Sequence, residues 1–182
     1  MRLHSDDFDS AKDAARRFCA DSGAVFVEDG RETSIAEGAG TIGLELLRRR
    51  SFDTVLLPLG NGALLTGAGR WIKAHPPDVR VIGVCAEGAD AMAASWREGR
   101  VVDRDGVHTI ADGIAVRRPV PQALIDMRGT VDDVLLVGED SIERAMRLLF
   151  ASAGLLVEPA GAVGVAAVLD HPALRSQRLA TV

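Results

Sequence analysis

The segment Leu59-Gly60-Asn61-Gly62-Ala63-Leu64 lies in a stretch that starts at Phe52-Asp53-Thr54-Val55-Leu56-Leu57-Pro58, where an apolar run of strand length empties into a glycine-rich turn, and it precedes Arg70-Trp71-Ile72-Lys73 in helical spacing. A strand that empties through glycines into a helix presents backbone N–H groups with no intrahelical partner, and glycine lets the chain approach a ligand closely. An anion is the natural occupant of such a junction, although a tight turn with no ligand has the same pattern. A nucleotide P-loop would need lysine and a hydroxyl after its second glycine, where this chain has Ala68 and Gly69 after Gly67. The dinucleotide fingerprint needs a small residue where Leu65 stands. A single phosphate monoester, held by backbone N–H groups and the Thr66 hydroxyl, fits what remains.

Other chemistries find less support. His4, His75, His108 and His171 share no ligand spacing with one another or with carboxylates, so no metal site is expected. No serine sits in a nucleophile elbow. Asp112, in Ala111-Asp112-Gly113, reads as a catalytic carboxylate or as an ordinary turn residue, and Glu158 as a helix cap or an orienting acid. The chain has no tyrosine and 4% aromatic residues, which removes tyrosine acids and base-stacking platforms.

The elements that must position these residues alternate. Phe8, Ala11, Ala15, Phe18 and Cys19 recur at helical spacing behind Asp6 and Asp7, with Asp21-Ser22-Gly23 as the stop. Ala24-Val25-Phe26-Val27 reads as a short buried strand ended by Glu28-Asp29-Gly30. A second helix is expected from Gly40 or Thr41 through Leu47, closed by Arg48-Arg49-Arg50, whose cations complement the helix dipole. Val79 to Cys85 is a second near-continuous apolar strand, Ala89 to Glu98 a helix, and Gly99 to Pro121 a loop long enough to suspect function. Val134 to Val137 is a strand. Asp140 with Glu143 resembles a capping box for the next helix, and Pro159 suits the first position of a last helix running to Leu169. The pattern indicates one α/β domain over residues 1–182, a largely parallel sheet with helices on both faces. Ligands in such sheets sit beyond the carboxyl ends of the strands, where the glycine junction falls.

With 47% hydrophobic and 26% charged residues, the 182-residue chain has the composition of a folded globular protein. A net charge of −5 and the lack of a basic cluster argue against a nucleic-acid partner. Cys19 and Cys85 lie far apart, as expected of reduced thiols. Met1 to Asp7 has no apolar leader core, and no run approaches the ~20 residues that span a bilayer, so a cytoplasmic location without membrane partner is expected.

Four motifs then occur together: Gly38-Ala39-Gly40-Thr41-Ile42, Pro58-Leu59-Gly60-Asn61-Gly62-Ala63-Leu64, Thr109-Ile110-Ala111-Asp112-Gly113-Ile114-Ala115 and Glu158-Pro159-Ala160-Gly161-Ala162. In this order and spacing they resemble the threonine/serine dehydratase family, pyridoxal 5′-phosphate enzymes of the tryptophan-synthase-β fold type, fold type II. The resemblance covers nearly all of the chain. It implies elimination of water and ammonia from threonine or serine, an amino-acid substrate, to give a 2-oxo acid. Serine racemase shares the motif set, and a non-catalytic module binding phosphate or the cofactor is the reading from another class. By resemblance, Gly60, Asn61, Gly62, Ala63 and Leu64 hold the cofactor phosphate, Gly113 lies close to the cofactor, and Glu158 sits near its ring edge. Asn61 and Ala63 stand where the family's loop usually has glycine.

The chain departs from the family in what it lacks. The family's Schiff-base lysine lies in a Ser-Phe-Lys segment, followed by a Ser-Gly-Asn-His segment, and neither occurs here. The only lysines are Lys12 and Lys73, both in other contexts. No catalytic residue is therefore assigned. Cys85 replaces a carboxylate through which some relatives bind a cation, so no metal is assigned either. The chain is expected to be the carboxyl-terminal portion of the family's large domain, incomplete and inactive alone. Apolar edges of such a truncated parallel sheet favour association, including with further copies of the same chain.

Overall fold

The computed structural model describes residues 7–48 and 52–182. Met1 to Asp6, read above as carrying no leader, and Arg49, Arg50 and Ser51 lie outside them. The order is α1 (Phe8–Ser22), α2 (Thr33–Arg48), β1 (Thr54–Pro58), α3 (Ala63–Ala74), β2 (Arg80–Ala86), α4 (Ala91–Glu98), α5 (Pro121–Met127), β3 (Asp133–Val137), α6 (Glu139–Ala153), α7 (Pro159–Asp170) and β4 (Leu179–Thr181). The strands form one parallel sheet in the order β3-β2-β1-β4. Val55 and Val81 pair in register, as do Leu57 and Gly83, so the apolar runs of β1 and β2 lie side by side at the sheet's centre.

Side chains alternate between the two faces. Val55, Leu57, Val81 and Cys85 join Leu65, Ile72 and Met127 in one core, while Leu56, Ile82 and Val84 join Ile142, Val163 and Ala166 in the other. Helices thus cover both faces, which is why β1 and β2 are apolar on each.

Three local expectations are corrected and one helix is added. Ala24 to Val27 forms no strand: it pairs with none, and Val25 is 85% and Val27 63% exposed. A short apolar run makes a strand only where a neighbouring strand takes its hydrogen bonds. The second helix begins at Thr33, not near Gly40, so Gly38, Gly40 and Gly43 are interior. Glycines destabilise an isolated helix, but here they admit α3: a Cβ on Gly67 would lie 1.8 Å from the Ala36 carbonyl oxygen, and one on Gly43 2.6 Å from that of Ala68. Close helix packing outweighs propensity. The capping box at Asp140 and Glu143 is absent, because α6 starts a turn-edge earlier with Gly138 as N-cap. The Asp170 carboxylate reaches back to the Gly138 N–H at 3.2 Å and accepts from the Ser141 hydroxyl. Finally, α5 emerges from a stretch with no strong periodicity, with Pro121 in its first turn.

α1 is capped as expected by Asp7, whose carboxylate accepts the Ser10 N–H at 3.0 Å, and stopped by Gly23 at φ 72°. Bonds from Ser10 hold the Asp7 carboxyl well below its ordinary range. Its orientation is inverted relative to its pattern. Phe8 and Phe18 are about half exposed, at 49% and 48%, while Asp9 and Lys12 are buried.

Candidate functional site

Three segments meet beyond the carboxyl end of β1. Gly62, at φ 91°, is the N-cap of α3, and its carbonyl accepts the Thr66 N–H at 2.8 Å. The N–H groups of Ala63, Leu64 and Leu65 precede the first residue with an i−4 carbonyl, so they are the free donors of the helix start. Gly60 faces the Ala-Asp-Gly loop: a Cβ there would lie 3.2 Å from Ile114 Cα and 3.4 Å from the Gly113 carbonyl oxygen. Gly113 in turn faces the start of α7, where an added Cβ would be 3.1 Å from Ala160 Cβ and 3.5 Å from Glu158 Oε1. Glu158 is the N-cap residue of α7, yet its side chain makes no capping bond. The fold therefore brings Gly60, Gly113 and Glu158 together, with Asn61, Ala63 and Leu64 contiguous along the same loop and helix start.

Asn61 is only 3% exposed, and its Oδ1 has no hydrogen-bond partner. Its backbone is overlain by Gly30, where a Cβ would come within 2.4 Å of the Asn61 carbonyl oxygen. The buried Thr66 hydroxyl also lacks a partner and lines a cavity of about 10 Å³ with Gly30, Glu32, Ala36 and Asp126. Asp112 is exposed in a short turn, Asp112–Ile114, which is the ordinary role of an Asp-Gly pair.

The model of the family described as "Pyridoxal-phosphate dependent enzyme" matches residues 1–181. The chain belongs to that family. It is 39% identical over 181 residues to the L-threonine ammonia-lyase of Thermotoga maritima, covering 99% of this chain and 45% of that protein. The processed threonine deaminase isoform 2 of Solanum lycopersicum superposes with a TM-score of 0.90 at 27% identity, over 99% of this chain and 51% of that one. Maize serine racemase superposes at 0.86 with 29% identity, over 96% and 54%. The chain spans about half the length of the curated relatives it matches. The fold is that of type II pyridoxal-phosphate enzymes.

The residues present fit a phosphate-bearing cofactor of this family. Free N–H donors converge at the start of α3, and glycine at positions 60 and 113 lets the phosphate loop, the Ala-Asp-Gly segment and the start of α7 approach one another closely. The Asn61 amide is a buried polar group still short of a partner, and its oxygen and nitrogen exchange places on a flip. Gly113 and Glu158 are exposed, so these residues form one wall of a site rather than a closed pocket.

Both lysines are committed elsewhere. Lys12 Nζ lies 3.4 Å from Asp9 and 3.3 Å from Glu28, and Lys73, ten residues or ~15 Å along α3 from Ala63, pairs with Asp132 at 2.7 Å. Cys85 is fully buried on β2 and its thiol donates to the Leu59 carbonyl at 3.3 Å. Burial pushes its pKa up to about 12, so it stays a neutral thiol, whereas metal ligation requires the thiolate. Among the described residues no group of three or more His, Cys, Asp or Glu side chains is placed to hold a metal, and no helix is long and apolar enough to cross a membrane. Native protein treated with iodoacetamide at pH 8 is expected to label at the half-buried Cys19 and to leave Cys85 unmodified until denaturant is added; mass mapping of Cys85 adducts in native protein would contradict this.

Sequence reasoning missed Gly30, Ile114 and Ala160, which touch site residues directly. Ile114 and Ala160 lay inside quoted motifs and were readable as neighbours. Gly30 was not, because only the fold carries the Glu28 turn onto Asn61.

Proposed function

We propose that this chain is the cofactor-phosphate-binding part of a pyridoxal-phosphate-dependent ammonia-lyase acting on threonine or serine and releasing a 2-oxo acid and ammonia. The observation that carries this reading is the meeting of Gly60, Gly113 and Glu158 at the free N-terminus of α3. Its support from relatives is the identity to L-threonine ammonia-lyases, which exceeds that to serine racemases.

Bound pyridoxal phosphate supplies an electron sink for charge at the substrate's α-carbon. This chain's residues bind and orient. The free N–H groups at the start of α3 take the phosphate oxygens, aided by the positive end of the helix. Gly113 keeps its wall low enough for a planar ring, and Glu158 places a carboxylate at the ring's edge. Neither lysine offers an uncommitted amine: both side chains sit in ion pairs. The proton transfers at the α-carbon therefore fall to residues outside this chain, and the chain alone binds the cofactor without turnover. Aldehyde capture at Lys12 or Lys73 would need those pairs broken.

Titration of the purified chain with pyridoxal phosphate, followed by borohydride reduction and peptide mapping, tests both halves. Saturable binding competed by inorganic phosphate, with no stoichiometric adduct on Lys12 or Lys73 and no 2-oxo acid from threonine or serine, is the expected result. Binding insensitive to phosphate would overturn the cradle, and a stoichiometric lysine adduct would overturn the assignment of the amine elsewhere. A non-catalytic phosphate-binding module is favoured over the enzyme fragment only if binding persists without the pyridine ring, pyridoxal phosphate and phosphate being held equally well. A cytoplasmic location and self-association through the exposed β4 edge accompany this reading.

A further inference from the structure

We propose that Asp9 and Lys12 are positioning residues: with Glu28 they form a buried clamp that holds two walls of the cradle in one arrangement. This rests on the cradle described above. The Asp9 side chain is 1% exposed, and its Oδ2 accepts the backbone N–H groups of Arg117 and Arg118 at 3.1 and 3.0 Å. Those two residues directly follow the Thr109–Val116 loop that carries Gly113. The other oxygen, Oδ1, has no hydrogen bond and faces Lys12 Nζ at 3.4 Å.

Lys12, 8% exposed, passes the connection to Glu28 Oε1 at 3.3 Å, and Glu28 is 2% exposed. Arg16 donates to the same Glu28 oxygen. The Glu28 carbonyl accepts the N–H groups of Arg31 and Glu32, closing the turn that seats Gly30 on Asn61. One end of the chain of contacts thus reaches the Gly113 wall and the other reaches the phosphate loop. Arg118 ties the same region a second time, through its guanidinium to the Asp9 carbonyl and the Asp13 carboxylate.

The arrangement also explains why α1 turns its charged face inward. A buried carboxylate, ammonium and carboxylate are costly unless each is partnered, and removing one leaves the others uncompensated. Such groups specify a single geometry more than they add stability. A cleft of about 850 Å³ lined by Asp9, Lys12, Glu28 and Arg118 lies beside the clamp, away from the centre of the sheet, so loss of the clamp should loosen its two walls more than β1 and β2.

The test is native-state hydrogen exchange by mass spectrometry on the full chain with Asp9→Asn, Lys12→Gln and Lys12→Arg, alongside pyridoxal phosphate titration. Lys12→Gln touches neither wall, so it is the decisive variant and also serves if Asp9→Asn fails to fold. Exchange at residues 60–64 and 111–118 is expected to rise at least about fivefold in Lys12→Gln with exchange in β1 and β2 unchanged. Lys12→Arg is expected to restore protection, and affinity for pyridoxal phosphate to fall about tenfold in Lys12→Gln and in a folded Asp9→Asn but not in Lys12→Arg. If Lys12→Gln leaves both segments as protected as in the parent, or if Lys12→Arg loses protection equally, the clamp is overturned. If the parent chain binds no pyridoxal phosphate, the cradle reading fails while the exchange data still decide the clamp.

Discussion

Asn61→Asp is expected to weaken pyridoxal phosphate binding by at least about 100-fold and, by burying a carboxylate, to lower the melting temperature by a few degrees. The substitution is nearly isosteric at a side chain that is 3% exposed and lies between Gly60 and the N-cap Gly62. It adds a negative charge where the proposal seats a phosphate. Two unit charges about 4 Å apart at an effective dielectric near 20 repel by about 4 kcal/mol, against the roughly 2.7 kcal/mol that 100-fold requires. The helix N-terminus that attracts phosphate also attracts the carboxylate, an effect of about 0.3–1 kcal/mol that offsets part of its burial cost. Asn61→Ala removes the amide without adding charge and is expected to cost only about tenfold, since the backbone N–H groups remain. Competition titration with inorganic phosphate reads all three proteins. Asn61→Asp binding within tenfold of the parent would place the phosphate elsewhere.

That junction was legible in the sequence because its chemistry is local. Glycine spacing, the apolar run before it and the helix after it lie within a single stretch, and Glu158-Pro159 marks the start of α7 in the same local way. The meeting of Gly60 with Gly113 and Glu158 is not local, and only the resemblance of four motifs anticipated it. The inverted burial of α1 was not legible at all. A hydrophobic pattern says which face of a helix is apolar, not which face the body covers, and here Asp9 bonds to Arg117 and Arg118 set the orientation while Phe8 and Phe18 face out. Ala24 to Val27 failed for a related reason: its apolar run is real, but no strand lies beside it among the described residues. The early start of α2 was hidden because small residues look like loop when read alone, and become helix only once α3 is placed against them.

The same contact makes Gly67→Ala the largest expected loss of stability. In an exposed helix interior alanine is favoured over glycine by about 1 kcal/mol. At Gly67 the sign reverses, because the added Cβ would stand 1.8 Å from the Ala36 carbonyl oxygen, 2.8 Å from its carbon and 3.0 Å from Ala39 Cβ. The first two neighbours are backbone, so relief requires α2 and α3 to separate rather than a side chain to rotate. Overpacking of this kind costs about 3 kcal/mol at the upper end of its range, and for a chain of this size that lowers the melting temperature by about 6–12 °C. Gly38→Ala is the matched control: it lies in α2, where a Cβ would meet nothing within 4 Å, and is expected to raise the melting temperature slightly. Thermal unfolding by circular dichroism distinguishes them. A Gly67→Ala protein as stable as the parent would show that the helices need not touch there. Because α3 starts at Ala63, four residues before Gly67, separating it from α2 also displaces the donors of the phosphate cradle, so Gly67→Ala should lose affinity for pyridoxal phosphate even below its melting transition, whereas Gly38→Ala should not.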